Sequence, residues 1–219
     1  MARFCGVKTS GHYHGGGPKI APMTTPILIL AAGQSSRMRG ADKLLQLVDG
    51  VPLVRKVAVA AIALGHPVYV ALPDLTHPRA AALSDLDLTL LPIPQAVQGM
   101  SVTLREAVAH LPEFEKLMLV LADLPEISSS EMAAVLSASD RQSGLIWRGA
   151  TEDGKPGHPI VFDGSLRTQF ATLSGDTGGD AIVRLLRDQT VLVPLAGSRA
   201  RRDLDTPEDW AAFRAETGR

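Results

Sequence analysis

Short aliphatic runs alternate with amphipathic stretches along most of the chain. A buried strand is predicted where several apolar residues follow one another, and a helix where apolar residues recur at helical spacing. The predicted strands are residues 27–31, 67–72, 86–91, 116–123, 144–147 and 158–162, and the predicted helices are residues 52–65, 98–111, 128–139, 178–188 and a last one from Thr206. This alternation is typical of an α/β fold with a mostly parallel sheet.

Polar residues mark the ends of several predicted helices. Ser128 and Glu131 have the spacing of a capping box, and Thr206 and Asp209 have the same spacing at the start of the last helix. Gly65 can end the first helix in the left-handed conformation. Because no repeat or linker divides the chain beyond its N-terminal segment, we expect a single Rossmann-like domain of three layers over residues 26–219.

The first 25 residues differ from the rest in composition. They are rich in Gly and polar residues and show neither the helical nor the strand period. We expect residues 1–25 to form a flexible tail, and translation could also start at Met23. His12 and His14 lie in this tail without a third ligand nearby, so we interpret them as solvated side chains rather than a metal site.

The charge balance excludes some classes of partner. The chain of 219 residues has 22 Lys and Arg against 23 Asp and Glu, so we expect no broad basic surface for nucleic acid or an anionic membrane. The single cysteine, Cys5, excludes an internal disulfide and favours a reducing compartment. No apolar run approaches the roughly 20 residues of a transmembrane helix. We therefore expect a cytoplasmic protein.

The loop after the first predicted strand combines small residues with two cations. Residues 31–33 (Ala-Ala-Gly) let a ligand approach the backbone, and residues 34–36 (Gln-Ser-Ser) add hydrogen-bond donors. Arg37 offers a planar fork that suits phosphate, and Lys43 offers a mobile point charge. The position after a parallel strand is where such sheets bind ligands. Neither the GxxxxGK[ST] P-loop nor a GxGxxG fingerprint is present here, which argues against an ordinary ATPase and a standard dehydrogenase.

Three aspartates are expected near the same edge of the sheet. Asp123 closes a predicted strand, and Asp203 and Asp205 precede the last helix. Carboxylates beside bound phosphates suit Mg²⁺, which takes one or two protein oxygens and completes its octahedron with water and phosphate. The loop and the carboxylates together favour nucleotidyl transfer or a related phosphoryl displacement.

Six motifs in a fixed order resemble the molybdenum-cofactor nucleotidyltransferases, a MobA-like group within the nucleotide-diphospho-sugar transferase-like fold. The motifs are LILAAGQSSRMRGADKLL, VQGMSVTL, LADLP, GKPGHPIVF, SGDTGGD and DLDTPEDW. The resemblance implies catalytic roles for Arg37, Lys43 and Asp123. It also implies that Asp123 and Asp205 hold Mg²⁺ or Mn²⁺.

The same resemblance implies two further sets of residues. The nucleotide-binding residues are Leu30, Ala31, Ala32, Gly33, Arg37, Lys43, Gln98, Gly99 and Ser101. The residues on the acceptor side are His158, Gly175, Asp176 and Asp203.

One position bears on the nucleotide base. Relatives that transfer a guanylyl group typically have LAGG where this chain has LAAG at residues 30–33, and LAAG resembles the cytidylyl branch. A methyl group at Ala32 narrows the space above the loop and so favours a pyrimidine. The resemblance implies transfer of CMP from CTP to molybdopterin-bound molybdenum, giving the cytosine dinucleotide cofactor and pyrophosphate. The implied partners are CTP or GTP, the molybdopterin-type substrate and, transiently, a molybdenum hydroxylase or its chaperone.

Other functions stay open at this point. They are a guanylyltransferase, a transferase for another phosphorylated acceptor, an NAD(P)H-dependent oxidoreductase and a non-catalytic nucleotide-binding accessory protein. Two departures from the family pattern bear on specificity: Arg39 stands where Gly is common, and Val102 stands where Ser is usual. Arg39 could strengthen phosphate binding or distort the loop, and Gly40 beside it could restore flexibility.

Overall fold

The computed structural model describes residues 25–175 and 177–219. The predicted tail therefore lies outside the described residues, except for Thr25. The strands are β1 (Ile27–Leu30), β2 (Leu47–Val48), β3 (Val51–Pro52), β4 (Val68–Leu72), β5 (Thr89–Pro92), β6 (Lys116–Leu121), β7 (Ile146–Ala150), β8 (Pro156–Asp163) and β9 (Thr190–Pro194). The helices are α1 (Leu53–Ile62), α2 (Pro78–Ala81), α3 (Met100–Ala109), α4 (Ser129–Arg141), α5 (Arg167–Ala171), α6 (Asp180–Leu185) and α7 (Pro207–Thr217).

Seven of the strands form one sheet in the order β5-β4-β1-β6-β8-β7-β9. β5, β4, β1 and β6 are parallel to one another, β8 is antiparallel to β6 and β7, and β9 is parallel to β7. The prediction of a mostly parallel sheet is confirmed. The chain leaves β1 toward β4 and β5, and then crosses back to β6 on the other side of β1. Such a switch point opens a crevice at the carboxyl ends of the strands.

Both faces of the sheet are covered, and the apolar residues of β1 alternate between two cores. Ile27 and Ile29 of β1 pack in the core that includes residues of α1, α4 and α7. Leu28 packs in the opposite core, with residues of α3, α5 and α6. Alternation of side chains along a strand produces this division. The predicted arrangement of three layers is confirmed.

The predicted helix ends are confirmed in detail. Both capping boxes, Ser128 with Glu131 and Thr206 with Asp209, have reciprocal hydrogen bonds. Gly65 has a positive φ of 75°, and its N–H donates to the carbonyl of Ile62 at 3.0 Å. These local signals work because they satisfy backbone groups that a helix end leaves without partners.

Several element boundaries differ from the prediction. β6 ends at Leu121, so Asp123 lies beyond the strand rather than at its last position. β5 begins at Thr89 instead of residue 86, and α6 is shorter than predicted at both ends. The short elements α2, α5, β2 and β3 were not predicted, and neither was β9, an edge strand without fully buried residues. None of the helices in the described part of the chain is long and apolar enough to cross a membrane.

Candidate active site

The loop after β1 is folded around a buried arginine from α2. The Arg79 side chain is 2% exposed, and its Nη1 donates to the carbonyl oxygens of Ala31 and Gly33 at 2.6 and 2.8 Å. Its Nε and Nη2 donate to the two carboxylate oxygens of Asp42 at 2.7 Å each, and Nη2 also reaches Ser35 Oγ at 3.1 Å. The guanidinium therefore fixes the start and the end of the loop to one another.

Asp42 connects this arrangement to the predicted catalytic lysine. Its carboxylate accepts from the backbone N–H of Leu44 at 2.9 Å and so caps the short 3₁₀ turn Lys43–Leu45. Burial opposes ionisation of Asp42, but the hydrogen bonds and charge of Arg79 outweigh it and lower the pKa of the carboxyl group. The ion pair thus sets the backbone position from which Lys43 projects.

Lys43 lies between two of the predicted aspartates. Its Nζ is 2.5 Å from Asp123 Oδ2 and 2.6 Å from Asp205 Oδ1. Arg37 Nη2 contacts the other oxygen of Asp205 at 2.6 Å, and the Arg37 side chain is 67% exposed. The structure therefore brings together two cations and two carboxylates that are up to 168 positions apart in sequence, counted from Arg37 to Asp205.

The cluster is charged at neutral pH. Burial disfavours the Lys43 ammonium, yet the charges and hydrogen bonds of Asp123 and Asp205 outweigh it and raise the pKa of Lys43. Burial likewise opposes ionisation of Asp205, and contacts with Lys43 together with the charge of Arg37 lower its pKa. Burial and the negative charges of Asp205 and Asp123 raise the pKa of Asp203, the third predicted aspartate.

The carboxylates retain capacity for a further cation. Asp123 Oδ1 is buried and has no hydrogen-bond partner among the described residues. Buried polar atoms are normally paired, so this oxygen is suited to a ligand or an ion. Across residues 25–175 and 177–219, no three His, Cys, Asp or Glu side chains are grouped closely enough to chelate an ion by themselves. Two carboxylates that share an ion with phosphate and water fit Mg²⁺ or Mn²⁺ better than a closed protein cage.

A cavity of about 310 Å³, called here the loop cavity, adjoins the cluster. Six of the predicted residues line it: Leu30, Ala32, Gly33, Lys43, Gly99 and Asp123. Gly99 has φ 118° and ψ 173°, a conformation that glycine adopts without strain. The glycine is therefore required by the backbone where α3 begins at the cavity wall.

A second cavity of about 330 Å³, called here the His158 cavity, shares Met100 and Leu121 with the first. It is lined by the predicted residues His158 and Asp203, and also by Arg148, Asp180 and Arg201. Burial lowers the pKa of His158 to about 4, and the charge of Arg148 contributes in the same direction. The imidazole is consequently neutral at physiological pH.

The other predicted residues that the structure describes do not line either cavity. The side chain of Ala31 is part of the core, and Gln98 and Gly175 are exposed. Ser101 is fully buried, and its hydroxyl accepts from the N–H of Gly178 and donates to the carbonyl of Ser174. Ser101 therefore links α3 to the loop before α6 instead of presenting a free hydroxyl. Asp176 lies outside the described residues.

The two departures from the family pattern have clear structural settings. Arg39 has a positive φ of 52°, which explains why glycine suits this position. Its guanidinium contacts Glu208 Oε1 at 2.6 Å, so its charge is paired on α7. Val102 is 9% exposed and packs on α3 as an ordinary core residue.

Four residues that support or line the site were not predicted from the sequence. Arg79 and Asp42 support the loop, and Arg148 and Arg201 line the His158 cavity. Asp42 lies within the first motif, directly before Lys43, which was a usable signal. The arginines lie between or beside predicted elements, and nothing in their immediate sequence indicates the burial of Arg79 and Arg148.

A crevice at the switch point of a parallel sheet, with cations and carboxylates at its edge, is typical of α/β proteins that bind nucleotides. The model of the MobA-like NTP transferase domain matches residues 27–191. The match covers most of the chain, and the protein belongs to this NTP transferase family. A comparison with curated protein sequences gave no match.

Solved structures share the fold at low sequence identity. Rv0371c from Mycobacterium tuberculosis H37Rv is 22% identical, with a TM-score of 0.76 over 88% of this chain and 98% of that one, and it has also been solved in complex with manganese. A nucleotidyl transferase from Methanothermobacter thermautotroptrophicus (Mth528) is 19% identical, with a TM-score of 0.71 over 88% and 97% of the two chains. A CMP:2-keto-3-deoxy-manno-octonic acid synthetase, solved with CTP, is 16% identical, with a TM-score of 0.69 over 89% and 99%.

Proposed function

We propose that the protein transfers CMP from CTP to the phosphate of a molybdopterin-type acceptor and releases pyrophosphate. The observation that carries the proposal is the Lys43 ammonium held by Asp123 and Asp205 at the wall of the loop cavity. Membership of the NTP transferase family supports the reaction class. The order of motifs in the sequence supports the choice of acceptor.

The loop cavity is suited to the nucleotide. Gly33 lines it, and an added Cβ at Gly33 would meet no atom within 4 Å, so the backbone there is open to a ligand. Arg37 is mostly exposed and can turn its planar fork toward phosphates. Ala32 is 3% exposed and lines the same cavity, which supports a base of pyrimidine size beside its methyl group.

Asp123 and Asp205 are the residues that would hold a divalent cation. The unpartnered Oδ1 of Asp123 fits this role, since a bound ion would satisfy it. When bound, Mg²⁺ or Mn²⁺ would neutralise charge on the phosphates and help to orient them. That manganese is present in a structure of Rv0371c supports a divalent cation in this fold.

The reaction is an in-line displacement at the α-phosphorus of CTP. An oxygen of the acceptor phosphate forms a bond to this phosphorus, and the bond from the phosphorus to the bridging oxygen of the β-phosphate breaks. The electron pair leaves with pyrophosphate. Lys43 and Arg37 provide the positive charge that stabilises the negative charge developing on the phosphates. The protein contributes position and charge and forms no covalent intermediate.

The His158 cavity is suited to the acceptor. It adjoins the loop cavity through Met100 and Leu121, so a molecule bound there can reach the nucleotide. Apolar side chains cover part of its wall, which suits the flat body of a pterin. Neutral His158 can exchange a hydrogen bond with such a ligand without bringing a charge.

Pyrophosphate release tests the proposal. The purified protein is incubated with Mg²⁺, molybdopterin-bound molybdenum and, in turn, CTP, GTP and ATP. We expect release with CTP at least tenfold faster than with the other nucleotides. A preference for GTP would retain the reaction and contradict the role of Ala32, whereas no release with any of the three would contradict the proposed acceptor.

A further inference from the structure

An arginine buried at the wall of the His158 cavity has only a long contact with an exposed counter-ion among the described residues. Arg148, on β7, has a side chain that is 10% exposed. Its Nε donates to the carbonyl of Gly157 at 3.1 Å, the one hydrogen bond that it makes within residues 25–175 and 177–219. Its Nη1 is 3.6 Å from Asp180 Oδ1, and the Asp180 side chain is 55% exposed. Most of the five N–H donors of this guanidinium are therefore available to a ligand.

A second arginine brings positive charge to the same wall. Arg201 lines the cavity, and its Nη1 donates to the carbonyl of Pro156 at 2.9 Å. Burial lowers the pKa of Arg148, and the charge of Arg201 lowers it further against the opposing effect of Asp180. A second positive charge beside a buried arginine is costly unless an anion compensates it.

The wall of the cavity has charges of both signs. Asp203 interacts with Asp205 and so belongs to the cluster around Lys43. Arg148 interacts instead with Asp180, with Arg201 and with neutral His158. Leu119, Leu124 and Ile160 contribute apolar wall. A ligand that fills the cavity would therefore have an apolar body and an anionic group directed at the arginines.

We infer that Arg148 and Arg201 bind a tetrahedral oxyanion carried by the acceptor, either a phosphate or an oxometalate group, and that Asp180 pairs with Arg148 until this anion arrives. The inference rests on the proposed function in assigning the cavity to the acceptor. Planar guanidinium groups bind such oxyanions through two parallel hydrogen bonds. The long contact and high exposure of Asp180 make it a partner that an incoming anion can displace.

Equilibrium dialysis of the full chain with inorganic phosphate and, separately, with molybdate tests the inference. We expect R148Q to weaken binding of at least one of these anions tenfold or more, and R201Q to weaken it less because Arg201 is exposed. D180N is expected to tighten binding several-fold, since it removes the competing carboxylate. R141Q is the matched control, because Arg141 is an exposed arginine on α4 that shares no cavity with Arg148 or Asp180. Tighter binding of phosphate or of molybdate identifies which oxyanion the site prefers.

Two results would overturn the inference. One is equal anion affinity in R148Q and R141Q, with both variants folded by circular dichroism. The other is a D180N variant that melts at a lower temperature without gaining anion affinity, which would make the Arg148–Asp180 pair a purely structural contact.

The dialysis contains no nucleotide, so its outcome is independent of the transfer reaction. If transfer occurs, R148Q should raise the KM for the acceptor and leave the KM for CTP unchanged. If anion binding depends on Arg148 but no transfer is found, the proposed reaction fails and the anion site stands.

Discussion

Replacing Arg79 with methionine should cost more stability than any surface ion pair of this protein. The substitution keeps an unbranched side chain of similar reach and removes five hydrogen bonds to Ala31, Gly33, Ser35 and Asp42. It also leaves the Asp42 carboxylate, which is 19% exposed, without its counter-ion. Removing one member of a buried ion pair typically costs about 3–5 kcal/mol.

The lower end of this range applies, because Asp42 keeps some contact with solvent and its bonds to Leu44 and Ser35. A loss of about 3 kcal/mol corresponds to a melting temperature lower by roughly 6–12 °C for a chain of this size. R79K should recover part of the loss, since lysine restores the charge but not the planar fork. R79M should also reduce nucleotide affinity, because the carbonyls of the loop are no longer fixed by the guanidinium.

Thermal melting followed by circular dichroism, together with urea unfolding, measures the effect. R55M is the matched control: Arg55 makes a two-point contact with Asp85, but Asp85 is 65% exposed, and exposed pairs contribute little. Melting temperatures of R79M and R55M that agree within experimental error would refute the claim that Arg79 contributes more stability than a surface ion pair. That result would mean that the desolvation cost of burying the Arg79 guanidinium offsets the stabilisation from its hydrogen bonds and its ion pair.

Three further predictions follow from the site. K43Q should lower the rate of CMP transfer by roughly a thousandfold or more with its fold intact, because it removes a cation at the developing charge. K56Q, which alters a surface ion pair with Asp49, is the control and should retain full activity. His158 has a pKa of about 4 in the folded protein against 6.5 when exposed, so the unfolded state takes up the proton first and stability falls as the pH drops from about 6.5 to 4. Between pH 7 and 4.5, the free energy of unfolding of H158F, measured by urea titration, should therefore fall by roughly 2 kcal/mol less than that of the wild type. An equal fall in the two proteins would contradict this prediction. G99A should lower the free energy of unfolding by about 1–3 kcal/mol, because the φ of 118° at this position disfavours a side chain. G33A should leave the free energy of unfolding within about 0.5 kcal/mol of the wild type and should weaken CTP binding measured by calorimetry. Unchanged CTP affinity would remove Gly33 from the nucleotide site.

The sheet and the helix ends could be predicted from the sequence, because they depend on local chemistry. Capping residues such as Ser128 and Thr206 satisfy backbone groups a few positions away, so their spacing is sufficient. A further signal of this kind was present and unused: Asp49 and Gly50 both have positive φ and form the tight turn between β2 and β3. Asp-Gly is a strong marker of such hairpins.

The site was predictable only in part, because its supports are not local. Resemblance picked out Lys43, Asp123 and Asp205, and the structure brings these residues into contact. Arg79 is different: its role depends on burial against a loop more than forty positions earlier, and its own short helix has no hydrophobic period. Ser101 shows the converse, since a motif residue can serve the backbone around a site rather than a ligand.

The position of Arg39 shows how an apparent anomaly is resolved by a distant partner. An arginine in a left-handed conformation is unfavourable locally, and sequence alone left open whether it binds phosphate. Its contact with Glu208 on α7 provides an alternative partner for the charge. No pattern of spacing could indicate a pair that is 169 residues apart.

Transfer of label from [α-³²P]CTP to the molybdopterin-type acceptor tests the central claim most directly. The wild type should produce a labelled dinucleotide, and D123N should lose this activity while its fold is retained. Asp123 contacts Lys43 at 2.5 Å, and its second oxygen has no hydrogen-bond partner within the part of the chain that the structure describes. D140N, which alters an exposed aspartate on α4, serves as the control and should transfer label at the wild-type rate. Labelled product at equal rates in D123N and the wild type would contradict the account.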